Sequence, residues 1–129
     1  MQPVNKARIL FCDDDEDMLK YFKALFAKTE HAQVFVNNGM QALEQAKKNK
    51  IDIAFIDINM PGIDGLETLA KWKEIQPGTQ IIIVSSYSDG NMVRVALERG
   101  AYTYLFKPLK KVDVFAVMVR ALKELAPAN

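Results

Sequence analysis

Four short stretches of this chain are apolar at consecutive positions: Ile9 to Cys12, Val34 to Val36, Ile53 to Ile56 and Ile81 to Val84. A fifth, Tyr102 to Phe106, is largely aromatic. A strand with one wet face alternates apolar and polar residues, so runs without that alternation predict strands buried on both sides. The segments between them carry helical spacing instead. Met18, Phe22, Leu25 and Phe26 fall at i, i+4, i+7 and i+8. Ala42, Leu43 and Ala46, then Leu66, Leu69 and Ala70, then Val93, Ala96 and Leu97 mark further helices, and a last one runs from about Lys111 to Leu125. Asn38-Gly39, Pro77-Gly78 and Gly100 punctuate the pattern. Parallel strands need crossovers, and helices supply both the crossover and the cover. The expectation is an α/β fold, a (βα)5 doubly wound parallel sheet of five strands with helices on both faces.

Composition limits what such a fold can do. A length of 129 residues suits one domain, and 50% hydrophobic residues are enough for a core without staples. Seventeen Lys+Arg against 16 Asp+Glu leave a net charge of +1, so no global field draws the chain to nucleic acid or anionic lipid. The single cysteine, Cys12, excludes an internal disulfide and a multi-cysteine metal site, and reads as a small core residue. No secretory segment precedes the first strand, and no apolar run reaches the roughly 18 residues of a membrane span. The expected location is cytoplasmic. Ala126 to Asn129 reads as a frayed tail or the start of a linker.

In an open parallel sheet, ligands bind outside the carboxyl ends of the strands. Strand one ends in Asp13 and Asp14, strand three in Asp57, strand four in Ser85 and Ser86, and strand five in Lys107. An acidic run is ordinarily a solvated surface. Carboxylates that follow buried strands are instead forced together, which raises their pKa values and strains the site. A divalent cation removes the conflict, and oxygen donors without His or Cys favour Mg2+. A lysine and a hydroxyl at the same rim suit phosphate oxygens. Aspartate is ionised at neutral pH and can attack phosphorus without a separate base, so the combined chemistry is phosphoryl transfer through an acyl phosphate. Asp15, Glu16 and Asp17 read as helix N-terminal acids.

Ile9-Leu10-Phe11-Cys12-Asp13-Asp14-Asp15, Asp57-Ile58-Asn59-Met60-Pro61-Gly62-Ile63-Asp64-Gly65 and Phe106-Lys107-Pro108 stand in order at these strand ends. With them the chain resembles the receiver domains of two-component response regulators over roughly residues 7 to 125. The resemblance implies the flavodoxin-like strand order 2-1-3-4-5. It implies that Asp57 is the phosphoacceptor, charged by a sensor histidine kinase or a histidine phosphotransfer protein. Asp13, Asp14, Asp57 and the main-chain carbonyl of Asn59 would hold Mg2+ (or Mn2+). Ser85 corresponds to the switch hydroxyl, Lys107 to the phosphate-binding lysine, Tyr104 to the aromatic that moves on activation, and the Lys107-Pro108 bond would be cis. The implied role is a signalling switch rather than an enzyme. Its output is expected at the face of helix four, strand five and helix five, toward a second copy, an effector domain or another partner, with no nucleic-acid or membrane binding of its own.

Several residues carry narrower expectations. Cys12 stands where the family has an aliphatic residue, and Tyr87, two residues beyond Ser85, is expected to shield the acyl phosphate from water. His31 reads as a surface residue and Trp72 as cover for helix three. On the last helix, Val112, Phe115, Val119 and Leu122 are assigned to the core, and Val114, Met118, Ala121 and Leu125 form an apolar surplus that reads equally as a contact surface or as ground covered by helix four. A Mg2+-dependent phosphohydrolase of the haloacid dehalogenase type is the enzyme alternative, disfavoured because the general acid it needs two residues after the nucleophile is here Asn59. A flavodoxin-like electron carrier is weaker still, since its first loop would cradle a phosphate and this one carries Asp13 to Asp17.

Overall fold

A computed structural model describes residues 6–86 and 90–125. Tyr87 and the tail from Ala126 therefore lie outside the described residues. The elements alternate without exception: β1 (Arg8–Cys12), α1 (Glu16–Leu25), β2 (Ala32–Val36), α2 (Gly39–Lys48), β3 (Ile53–Asp57), α3 (Gly65–Ile75), β4 (Gln80–Ser85), α4 (Gly90–Glu98), β5 (Thr103–Phe106) and α5 (Lys111–Glu124). All strand pairs are parallel, in the order β2-β1-β3-β4-β5 that the resemblance implies.

The continuous apolar runs explain how one sheet supports two cores. Side chains alternate across a strand. On one face, Ile9 and Phe11 of β1, Ile53 and Phe55 of β3, and Ile82 and Val84 of β4 pack beneath α1 and α5. On the other, Leu10 and Cys12, Ala54 and Ile56, and Ile81 and Ile83 pack beneath α2, α3 and α4. The first core is built around Phe11, whose ring lies 4.7 to 5.5 Å from those of Phe22, Phe26, Phe35 and Phe55. Such aromatic pairs contribute about 0.5–1.5 kcal/mol each beyond their buried area.

Local chemistry starts the helices where the pattern places them. The Asp15, Asn38 and Asp64 side chains accept N–H bonds from Asp17, Gln41 and Glu67 at 2.8 to 2.9 Å, each cap contributing about 1 kcal/mol. At the base of the sheet, Gln76 at the end of α3 accepts from the Ile51 N–H and donates to the Ala46 and Asn49 carbonyls. That one amide ties α2, α3 and the start of β3 together.

Two expectations are corrected. On α5 the core stripe is Val114, Val117, Met118 and Ala121, while Val112 is 70% and Val119 52% exposed. Phe115, Leu122 and Leu125 pack partly against the same core. The two stripes have the same i, i+3, i+7 spacing and lie side by side, so only the sheet decides between them. His31 is not an idle surface group: its Nδ1 accepts the Ala7 N–H at 3.0 Å just ahead of β1, and burial lowers its pKa. Trp72 is wholly buried on α3, with no hydrogen-bond partner for its Nε1 among the described residues. Cys12 is a core residue as expected, 3.3 Å from Met60 Sδ, and burial pushes its thiol up to about 12.

Candidate functional site

The alternation that builds the two cores also assembles the polar edge. Asp13 and Asp57 continue the Phe11 and Phe55 positions of β1 and β3, and Lys107 continues the Leu105 position of β5, so all three extend one face of the sheet. β1 and β3 are neighbours, which puts Asp13 beside Asp57. β5 is two strands from β3, roughly 10 Å at ordinary strand spacing, a distance a lysine stem can bridge. Lys107 Nζ does bridge it, lying 3.0 Å from Asp13 Oδ2 and 3.2 Å from Asp57 Oδ1. The Lys107 N–H donates to the Ser85 carbonyl at 2.8 Å, and the Lys107-Pro108 bond is cis.

Asp13 is 2% and Asp57 5% exposed, whereas Asp14 faces solvent. One oxygen from each of these three carboxylates lies within 4.8 Å of the others. Asp13 Oδ1 also accepts the Asp15 N–H at 2.9 Å, which fixes its plane. Burial, followed by the charge of Asp13, pushes the Asp57 carboxyl up to about 6, and Lys107 only partly offsets this. Burial alone would lower the Lys107 ammonium, but its bond to Asp13 and the charges of Asp57 and Asp13 hold it above its ordinary value. Among the described residues, Lys107 is the one cation in ion-pair range of Asp13 or Asp57. Negative charge is therefore in excess, in a pocket whose donors are all oxygen. That is the donor set of a hard divalent cation.

Ser85 is buried at the end of β4, opposite Phe106 in the register with β5. Asn59 is exposed on the 58–64 connection between β3 and α3. Tyr104 is buried against the core beneath α4, its ring 5.1 Å from that of Phe106 on the same side of β5. Asp13, Asp14, Asp57, Asn59, Ser85 and Lys107 thus stand at or just beyond the carboxyl ends of β1, β3, β4 and β5, while Tyr104 lies within β5. Sequence reasoning gave Phe106 no role beyond its place beside Lys107 and Pro108, and it is 47% exposed at the end of β5.

Comparison with known proteins places this arrangement. The family model described as the response regulator receiver domain matches residues 9–119. The transcriptional regulatory protein ZraR of Klebsiella oxytoca is 37% identical over 101 residues, 78% of this chain but 23% of that protein. Sporulation initiation phosphotransferase F of Bacillus subtilis is 32% identical over 101 residues, 78% of this chain and 82% of that protein. The CheX-CheY-BeF3-Mg2+ complex of Borrelia burgdorferi contains a chain that superposes with a TM-score of 0.83 at 26% identity, covering 88% of this chain and 87% of that one. This chain spans about a quarter of the length of the transcriptional regulators it matches, which are 23% to 28% covered. With most of its length matched and its strand order, acidic edge and lysine in place, the chain belongs to the response regulator receiver domain family of two-component signalling.

Proposed function

We propose that Asp57 is the phosphoacceptor and that a sensor histidine kinase or a histidine phosphotransfer protein supplies the phosphoryl group. The observation that carries this reading is the Lys107 ammonium held between Asp13 and Asp57, because it supplies positive charge where a phosphoryl group on Asp57 Oδ would need it. Asp13, Asp14, Asp57 and the Asn59 carbonyl would hold the cation, which we assign as Mg2+, with Mn2+ able to replace it. Bound there, the cation supplies charge neutralisation between carboxylate and incoming phosphoryl group. Asp57 attacks phosphorus through Oδ; the bond from phosphorus to the donor breaks, and its electrons leave with the donor. Lys107 and the Ser85 hydroxyl then take phosphoryl oxygens.

The reading is of a switch that assists only its own phosphorylation and dephosphorylation. Asn59 lacks the acid that a haloacid dehalogenase-type hydrolase needs two residues after its nucleophile. We assign the output to the face of α4, β5 and α5, where Leu97, Phe106, Val112 and Val119 are exposed apolar residues, with an effector domain or second copy as its partner in the cytoplasm. The test is incubation with Mg2+ and acetyl phosphate. Wild type is expected to be labelled and Asp57→Asn to stay unlabelled; equal labelling of the two chains would sink the assignment.

A further inference from the structure

The connection from β3 to α3 begins at Asp57 and carries Asn59, so whatever seats α3 against β3 also sets the site. Gly65, the first residue of α3, is buried there, and its N–H donates to the Ile58 carbonyl at 2.9 Å. A Cβ on Gly65 would stand 2.3 Å from the Asp57 carbonyl oxygen, 2.7 Å from Ile58 Cα and 2.9 Å from the Asp57 carbonyl carbon. These distances are about 1 Å short of ordinary contact, and all three obstacles are backbone atoms that no rotamer change can move. Only a shift of the end of β3 or the start of α3 would make room. Gly39 offers a contrast on the other side of α3. A Cβ there would also come within 2.3 Å of a neighbour, but its obstacles are the side-chain ends of Thr68 and Ile63. Gly78 has nothing within 4 Å.

We propose that Gly65 is a positioning residue for Asp57, an inference that rests on the reading of Asp57 as phosphoacceptor. Its missing Cβ lets α3 seat directly on the Asp57–Ile58 backbone, and that seat sets the Asp57 carboxylate at 3.2 Å from Lys107 and beside Asp13. A misplacement of about 1 Å at a reacting group can cost on the order of a hundredfold in rate.

The experiment compares Gly65→Ala, Gly39→Ala and Gly78→Ala in the full chain, labelled from acetyl phosphate at saturating Mg2+, with folded fraction read by circular dichroism. Gly65→Ala is expected to lower the maximal labelling rate per folded molecule at least about fivefold, with half-saturating acetyl phosphate within about threefold of wild type. Gly39→Ala loses stability through α2–α3 packing but keeps its maximal rate within about twofold, as does Gly78→Ala. A smaller loss for Gly65→Ala, or an equal loss for Gly39→Ala, overturns the proposal. Where Gly65→Ala is partly unfolded, the rate is read in trimethylamine N-oxide, which favours the folded state. Recovery of the wild-type rate there also overturns it, because stability alone would then account for the loss. Labelling of Asp57→Asn equal to wild type is a different failure, that of the phosphoacceptor reading itself.

Discussion

At the scale of single residues, Asp57 shows what strand-end position does to a carboxylate. Its place after an apolar run was legible from sequence, and so was its neighbourhood to Asp13. Its burial was not, because that depends on how α1 and the loops close over the edge. With the folded pKa near 6 and an unfolded value of ~3.9, the folded chain holds a proton between those pH values that the unfolded chain has released. The sign follows: the Asp57 contribution to metal-free stability is unimpaired below about pH 4 and is lost as pH rises through 6, leaving an ionised, poorly solvated Asp57 at neutral pH. Asp57→Asn removes that charge while Lys107 keeps Asp13 as partner. The metal-free variant is therefore expected to be more stable than wild type at pH 7.5 by about 1 to 2 kcal/mol, with the difference closing as pH falls below 6. Urea unfolding in EDTA at pH 7.5 and pH 5 measures it, and a variant less stable than wild type at pH 7.5 contradicts the assigned charge balance.

Elements were legible in proportion to how one-sided their patterns are. β1, β3 and β4 could be found because four consecutive apolar residues leave no other place for a short run than between two layers. α1 was equally plain, since Phe22 and Phe26 oppose a charged face. The extent of α5 was plain too but its buried face was not, because Val112, Val114, Phe115, Val117, Met118, Val119, Ala121 and Leu122 leave apolar residues on nearly every side. The helix is turned so that Val114 and Met118 join Ile82 and Val84 in one core, and Val112 and Val119 are left in water. Energetic cost should follow the structure rather than hydrophobicity. Met118→Ala is expected to destabilise the fold by about 2–5 kcal/mol. Val112→Ser is expected to stay within about 0.5 kcal/mol of wild type. Chemical denaturation of both variants decides it, and a loss at Val112 comparable to that at Met118 would put the original stripe back in the core.

Across the whole molecule, anchoring is uneven in a way that suits a switch. α2 buries Gly39, Ala42, Leu43 and Ala46, and α3 buries Gly65, Thr68, Leu69 and Trp72, whereas α4 buries Ala96 alone. The Gln76 amide further locks α2 to α3 at the base, and Thr79 donates to the Ile51 carbonyl beside it. β5 joins site to surface within four residues, from buried Tyr104 through exposed Phe106 to Lys107. Segments with little buried apolar contact open most cheaply, and a ligand at the site can shift only an equilibrium whose alternative is within reach. Backbone amides of α4 are accordingly expected to exchange with deuterium at least about tenfold faster than those of α3 in the unphosphorylated chain. Mg2+ with acetyl phosphate should change exchange in α4 and β5 and leave the C-terminal half of α3, held by Gln76, as it was. Hydrogen-exchange mass spectrometry before and after phosphorylation reads both quantities. Equal protection of α3 and α4, or a response centred on the base of α3, would mean that the signal leaves the site by another route.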